Sequence, residues 1–312
     1  MPRAFGVRRE FADVPAAVRA WVEAALGAQV VEAETQVGGL SPGGAARLRT
    51  AAGERAFVKA VGASLSDGTA DLFRHEVVVL SALPDVPYRT RLRSSYDDGD
   101  WVGLLLDDVD GRFPDLSDAG EAAAVWDTVS IQSAELLPPP TDLVGIGSLA
   151  QTAHRMVATW QAAIVAAPET YLPSWAVRRL PELLKRIVDL PDRLPSESLC
   201  HWDLREDNLL LRPDGSVVIL DWGMARLGPC WADRFSVAVQ WAALPYFDEV
   251  MTGWPWAPEA DLITDLMVLI GGRLAWLAVQ PARLGLPTMP ALTGAVSRDL
   301  LIGARRRLAD RE

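Results

Sequence analysis

The sequence predicts an α+β protein of two lobes, a small β-rich N-terminal lobe followed by a larger, mainly helical C-terminal lobe. Three observations carry this reading. The chain has 312 residues, which at roughly 150 residues per domain gives two domains or one two-lobed unit. Its first hundred or so residues hold short apolar and alternating runs around one helical pattern, whereas from about Ala119 the apolar spacing turns to long helical periods. Half of the residues are hydrophobic and 23% are charged, which is ordinary for a globular chain and excludes a disordered one.

Taken in order, residues 10–33 show helical spacing through Phe11, Val14, Val18, Trp21, Val22, Ala25 and Leu26. A glycine-rich stretch, Gly38-Gly39-Leu40-Ser41-Pro42-Gly43-Gly44, leads into alternating Ala46 and Leu48 and then Ala56-Phe57-Val58-Lys59-Ala60-Val61. Gly53-Glu54 between these runs reads as a hairpin turn, so two antiparallel strands are expected. Helical spacing returns at Asp71 to Leu83, and Trp101 to Leu106 is an apolar run of strand length. Further on, helices are expected over 119–135, 148–167, 175–190, 233–244, 259–279 and 291–309. One hairpin interrupts them, 208–211 with 217–220, because Pro213-Asp214-Gly215 presets a turn: Pro fixes φ and Gly tolerates positive φ.

Charge and composition narrow the function. With 30 Lys plus Arg against 41 Asp plus Glu, the net charge is -11, the wrong sign for neutralising phosphates, so a nucleic-acid partner is not expected. Two cysteines, Cys200 and Cys230, form neither a disulfide framework nor zinc-ligand spacing. The first ten residues hold no apolar stretch, so no secretory leader is expected, and no run reaches 18 apolar residues, the nearest stopping at Arg273. The expectation is a cytoplasmic protein with no membrane partner. Only two lysines, Lys59 and Lys185, stand among the 30 basic residues, so each is a candidate for a task that arginine cannot perform.

The segment His201-Trp202-Asp203-Leu204-Arg205-Glu206-Asp207-Asn208 is the most informative in the chain. An Asp stands five residues before an Asn, and thirteen residues after that Asn, beyond the hairpin, come Asp221-Trp222-Gly223. Phosphoryl transfer uses such a set: one carboxylate takes or orients the proton of an attacking hydroxyl, while an amide oxygen and a second carboxylate hold Mg²⁺ on nucleotide phosphates. Singly, Asp203, Asp207 and Asn208 also fit a turn or a helix cap. Together they fit a kinase.

This pattern, His-x-Asp-x-x-x-x-Asn, then a hairpin, then Asp-x-Gly, resembles the aminoglycoside phosphotransferase family of small-molecule kinases, from about residue 35 to 245. The resemblance implies a protein-kinase-like fold with an N-lobe over 1–106 and a C-lobe over 107–312. It implies Asp203 as catalytic base, Asn208 and Asp221 as metal ligands, ATP or GTP and Mg²⁺ as cofactors, and a small-molecule hydroxyl as acceptor. It also implies a strand lysine on the phosphates, matched by Lys59, and a helix carboxylate orienting it, matched by Glu76 seventeen residues on. In the nucleotide-covering loop Ser41 and Gly43 are the candidates. In the interlobe connector, the Asp107 carbonyl and the Val109 N–H are the expected adenine contacts, although Leu104 to Gly111 also fits an acidic surface turn. Asp233 is expected to cap the next helix and accept buried hydrogen bonds, His201 to fix the loop, and His75 to lie at the surface or behind the site. A nucleotide-binding module without turnover and a protein kinase share much of this pattern. The five intact polar positions argue against the first, and the lack of an Ala-Pro-Glu segment after Asp221 argues against the second.

For the acceptor, residues 231–265 carry seven of the chain's 23 aromatic residues, six acidic residues and one basic residue, Arg234. Trp231, Asp248, Glu249, Trp254 and Trp256 are the candidates drawn from it. Such a wall suits a cationic, ring-bearing hydroxyl compound through charge and stacking; the same residues also fit a core with solvated acidic faces. Some aminoglycoside kinases of the family place a carboxylate-rich C-terminus on substrate amines; here residues 304–312, with Arg305-Arg306-Arg307 and Arg311 against Asp310 and Glu312, supply more base than acid. The expected acceptors are therefore aminoglycoside-like, macrolide or peptide antibiotics, or an amino alcohol, amino sugar or homoserine-like metabolite.

Overall fold

The computed structural model describes residues 8–36, 39, 41–254, 256–282 and 286–309. A six-stranded sheet fills the N-terminal lobe: β1 (Arg8–Arg9), β2 (Val30–Thr35), β3 (Gly43–Thr50), β4 (Arg55–Gly62), β5 (Leu92–Asp97) and β6 (Trp101–Leu106). Its order is β1-β3-β4-β6-β5, and β2 shares with β1 the outer edge of β3. All pairs are antiparallel except β1 with β3, where Arg8 stands opposite Gly43.

Two helices flank the sheet. The first, α1 (Ala16–Leu26), buries Val18 and Val22. The helical spacing read over 10–33 holds only from Ala16 to Leu26: a 3-10 turn at Phe11–Asp13 precedes the helix, and Gly27 takes the left-handed conformation (φ 66°) and ends it. Val30–Thr35 then extends as β2, where β-branched residues pair with β3. The second, α2 (Asp67–Ala82), starts on Ser66, whose hydroxyl accepts from Thr69 N–H (3.2 Å), and buries Ala70, Phe73 and Val79. That face points Glu76 inward.

The connector after β6 is fastened to the sheet. Arg47 and Arg55 bind the carboxylates of Asp108 and Asp110, and Arg91 and Arg93 bind Asp107. At Gly111 a Cβ would stand 2.9 Å from the Leu211 carbonyl. Arg112 then exchanges backbone hydrogen bonds with Leu211 at 3.0 and 2.7 Å.

The C-terminal lobe is mainly helical: α3 (Ala119–Glu135), α4 (Leu149–Thr159), α5 (Pro168–Tyr171), α6 (Ser174–Arg178), α7 (Leu180–Val188), α8 (Ala232–Ala238), α9 (Tyr246–Thr252), α10 (Ala260–Ala278) and α11 (Met289–Ala309). Its largest apolar core is built around Trp160, Phe235, Phe247 and the α10–α11 hairpin. Three helices expected as single pieces are divided, the one over 233–244 giving way after Ala238 to a 3-10 turn at Val239–Trp241. The 148–167 pattern widens to a π turn at Trp160–Ile164, where the buried Trp160 indole donates to the Leu269 carbonyl (3.0 Å). The 175–190 pattern breaks at Arg179, because Pro181 has no N–H to carry a helix across.

Four short strands carry the site between α7 and α8: β7 (Ser198–Cys200), β8 (Leu209–Leu211), β9 (Val217–Ile219) and β10 (Arg226–Gly228). The β8–β9 hairpin turns on Gly215 at φ 84°, with Arg212 N–H donating to the Ser216 carbonyl. Pairing of β10 with β7 sets Arg226 opposite Cys200, so the segments on either side of the hairpin return to one place. No helix among the described residues is long and apolar enough to cross a membrane.

Candidate active site

The loop leaving β7 is held from beneath. Asp233, 2% exposed, accepts from His201 N–H (3.0 Å), Trp202 N–H (2.9 Å) and the Gln132 amide (2.9 Å). It is the second residue of α8 and caps nothing; Trp231 precedes the helix, so only the buried-acceptor half of its expected role applies. These bonds hold Trp202 at φ 65°, a conformation that costs a tryptophan of order 1 kcal/mol or more. His201 is fully buried; its Nε2 donates to the Leu220 carbonyl (2.7 Å) and its Nδ1 accepts from Asp203 N–H (3.2 Å). The loop is thereby tied to both α8 and the end of the hairpin.

Asp203 emerges from this clamp with its carboxylate partly open to the cleft. Arg205 donates to Asp203 Oδ1 (2.6 Å) and forks onto both oxygens of Asp207 (3.0 and 3.2 Å). Burial raises Asp203 above the usual carboxylate range, with Arg205 and His201 opposing. Asn208 donates its amide to the Asp203 carbonyl (2.7 Å), and its backbone carbonyl accepts from Leu220 N–H (2.9 Å), which brings it beside Asp221.

Asp221 takes φ 63° at the end of the hairpin, with its side chain 42% exposed. Lys59 reaches it from the sheet. On β4, between Ala45 and Leu104, Lys59 places Nζ 2.5 Å from Glu76 Oε2 and 3.2 Å from Asp221 Oδ1. Burial works against the ammonium, but Asp221 and Glu76 outweigh it and hold Lys59 above its ordinary value. Glu76, fully buried, is pushed upward by burial, while Lys59 and the Trp222 N–H (3.3 Å) pull it back. Asp221 is held below its ordinary value: burial raises it, and Lys59 together with His201 and Arg205 more than offsets this. His75, beside Glu76, is turned inward, with Nε2 donating to the Ala225 carbonyl (2.8 Å), so it fastens α2 to the segment after Asp221.

In the glycine-rich stretch, Gly38 and Leu40 lie outside the described residues. Gly43 begins β3 at φ 114°, and a Cβ there would meet the Ala60 carbonyl at 2.4 Å. The Ser41 carbonyl accepts from Arg8 Nη1 (2.5 Å). Along the connector, Val109 C=O is taken by Arg47 (2.7 Å), while the Asp107 carbonyl and Val109 N–H make no hydrogen bond among the described residues.

The candidates for the acceptor wall are placed differently. Trp231 and Trp254 are 5% and 7% exposed and belong to the core. Trp231 and Trp202 border a cavity of about 10 Å³, room for one water. Asp248 is neutralised by Arg306 (2.6 Å) and Arg307 of α11. Arg234 lies 4.7 Å from the Trp126 ring and 5.2 Å from the Trp254 ring, so a cation of the protein itself covers those faces. Glu249 is exposed on α9, and Trp256, 39% exposed, packs edge-on against Trp254. The sequence counts acids and aromatics but does not show that arginines from distant segments meet them.

One residue in contact with Asp203 escaped the sequence reading. Arg205 stands inside the motif between two aspartates, and that alternation is the available signal.

A sequence model of the phosphotransferase enzyme family, APH, matches residues 48–254, more than half of the chain. No curated protein sequence matches it. Among solved structures, the choline kinase LicA from Streptococcus pneumoniae is similar in fold, with 13% identity, a TM-score of 0.58, and 91% of this chain and 98% of that one covered. A thermostable mutant of the aminoglycoside phosphotransferase APH(4)-Ia gives 14% identity and a TM-score of 0.56, with coverage of 92% and 98%. Spectinomycin phosphotransferase APH(9)-Ia, bound to AMP, gives 10% and 0.54, with coverage of 91% and 97%. A protein-kinase-like fold, the ordered Asp203, Asn208 and Asp221, and the extent of the family match lead to one conclusion: this chain belongs to the APH phosphotransferase enzyme family.

Proposed function

We propose that the enzyme transfers the terminal phosphoryl group of ATP or GTP, with Mg²⁺, to a hydroxyl of a small molecule. The observation that carries the reading is Lys59 Nζ in contact with both Glu76 and Asp221, which joins β4, α2 and the end of the β8–β9 hairpin at one cation beside Asp203. In this reading the Lys59 ammonium binds nucleotide phosphates and Glu76 keeps it aimed. Asp203 orients the acceptor hydroxyl and takes its proton as the new P–O bond forms. Arg205 donates to Asp203 Oδ1 and the Asn208 amide to Oδ2 (3.2 Å), so the carboxylate is oriented from both sides.

The donor set suits a hard divalent cation. The Asn208 amide nitrogen is engaged by the Asp203 carbonyl, so its Oδ1 is the atom left to bind, and Asp221 adds carboxylate oxygen. Bound there with the phosphates, Mg²⁺ supplies charge neutralisation on the transferring group. The free Asp107 carbonyl and Val109 N–H suit the edge of a purine. We place the change of lobe at Gly111 rather than between 106 and 107, since four arginines tie Asp107, Asp108 and Asp110 to the sheet.

The acceptor we carry forward is an antibiotic hydroxyl, with a cytoplasmic resistance role; an amino alcohol or amino sugar of primary metabolism is the second class. Solved structures of this fold include both kinds, a choline kinase and an APH(4)-Ia complex with ADP and hygromycin B. Neutralisation of Asp248 removes one support for a strongly cationic acceptor. A coupled ADP-release screen over aminoglycosides, macrolides, peptide antibiotics, amino alcohols and amino sugars tests the reading. A product carrying one added phosphoryl group supports it; label on proteins and on no small molecule refutes it.

A further inference from the structure

We infer that Arg8, on the N-terminal strand, is a third cation of the nucleotide site and binds the β- and γ-phosphates of the triphosphate; this rests on the function proposed above. Three observations place it there. Arg8 is opposite Gly43 in the β1–β3 pair, so its strand runs along the start of the strand that leaves the glycine-rich loop. Its Nη1 donates to the Ser41 carbonyl (2.5 Å). A Cβ on Gly39, which stands at φ 74°, would be 2.6 Å from Arg8 Nη2, so the guanidinium passes directly against the loop backbone where only glycine leaves room. Asp221 lies close enough for its charge to act on Arg8: burial lowers the guanidinium from its ordinary value and Asp221 opposes that. Arg8 thus stands against Ser41 and Gly39 of the loop, within reach of the Asp221 charge.

Charge balance gives it a task. Glu76, Asp203, Asp207 and Asp221 put four carboxylates around the cleft, against Lys59 and Arg205. A nucleoside triphosphate adds about four more negative charges, of which one Mg²⁺ offsets two. A guanidinium at the loop reduces that repulsion and presents forked donors suited to phosphate oxygens. Arg9, the next residue, is exposed and opposite Gly44, and has no such position.

The test is nucleotide binding, read without an acceptor, by titrating ATP, ADP and AMP in the presence of Mg²⁺ into wild type, Arg8→Ala, Arg8→Gln, Arg8→Lys and Arg9→Ala. The expected result is a loss of about tenfold or more in ATP affinity in Arg8→Ala and Arg8→Gln, a smaller loss in Arg8→Lys, and unchanged AMP affinity in all. Arg9→Ala should match wild type. Wild-type ATP affinity in both neutral Arg8 variants overturns the inference, as does tighter ATP binding, which would make the arm a plug in the phosphate site. An equal loss for AMP and ATP also overturns it, because it would show a loosened lobe instead of a lost phosphate contact. If wild type binds no ATP, the functional reading itself fails, which the wild-type titration reports separately.

Discussion

Replacing Asp233 by Asn changes one oxygen for one NH₂ in a site with 2% exposure, yet it strikes the catalytic loop from behind. The carboxylate accepts three hydrogen bonds, two from the backbone of His201 and Trp202 and one from Gln132. An Asn can turn its oxygen to some of these donors, but its NH₂ then faces another N–H. Hydrogen bonds to a charged acceptor contribute about 1.5–3 kcal/mol each, so the loss of one with a donor left unpaired costs about 2–3 kcal/mol. For a chain of this length that corresponds to a fall of about 3–5 °C in Tm. The kinetic effect should be larger than the thermal one. Trp202 is kept at φ 65° by the bond to Asp233 Oδ1, and its relaxation moves Asp203, the next residue. A displacement of about 1 Å at the reacting group lowers kcat by about 100-fold. Thermal unfolding with and without nucleotide, and kcat by ADP release, measure both. Wild-type Tm and kcat in the Asp233→Asn variant would show that the Asp233 contacts neither stabilise the loop nor position Asp203.

Lys59→Met leaves Glu76 and Asp221 without their shared cation; ATP KM should rise about tenfold and kcat fall about 100-fold, and steady-state kinetics with unchanged values would refute the role. Gly43→Ala forces a methyl to 2.4 Å from the Ala60 carbonyl at φ 114°, so thermal unfolding should show a loss of at least about 2 kcal/mol; a neutral effect would contradict the tight β3–β4 crossing. In the proposed role Asp203 accepts a proton and so works ionised; because burial raises it from 3.8, kcat/KM should fall with decreasing pH on a limb lying above 3.8. Arg205→Gln removes the charge opposing that rise, so the limb should move to higher pH; a shift to lower pH would be the wrong sign for the arrangement. Asp221→Asn should raise the Mg²⁺ concentration needed for half-maximal rate by about tenfold or more, and an unchanged metal requirement would exclude Asp221 as a ligand.

Elements whose signal is local were legible in the sequence. The β8–β9 hairpin announces itself through Pro213-Asp214-Gly215, and α10 and α11 through long apolar periods. Those defined by tertiary partners were not. Both β7 and β10 are three residues long and exist through pairing with each other, and β5 mixes Arg and Ser on an edge whose order comes from β6. The helical reading ran through β2 because Val30 and Val31 continue an apolar period that Gly27 has already ended. The same division holds at the site. The motif from His201 to Asn208 places Asp203, Arg205 and Asn208 within one loop, so their proximity follows from the chain. Arg8 and Arg234 act through segments far away in sequence, and Asp248 looked available only because its arginine partners sit on α11.

Asp203 is assigned to the transfer step and not to nucleotide binding, and these two roles separate in one comparison. Wild type and Asp203→Ala are compared for nucleotide affinity by titration, and for phosphoryl transfer by single turnover with γ-labelled ATP and an acceptor found by the screen. Nucleotide affinity should stay within about twofold of wild type while transfer falls at least about 1,000-fold. Transfer near the wild-type rate in Asp203→Ala would contradict the assignment.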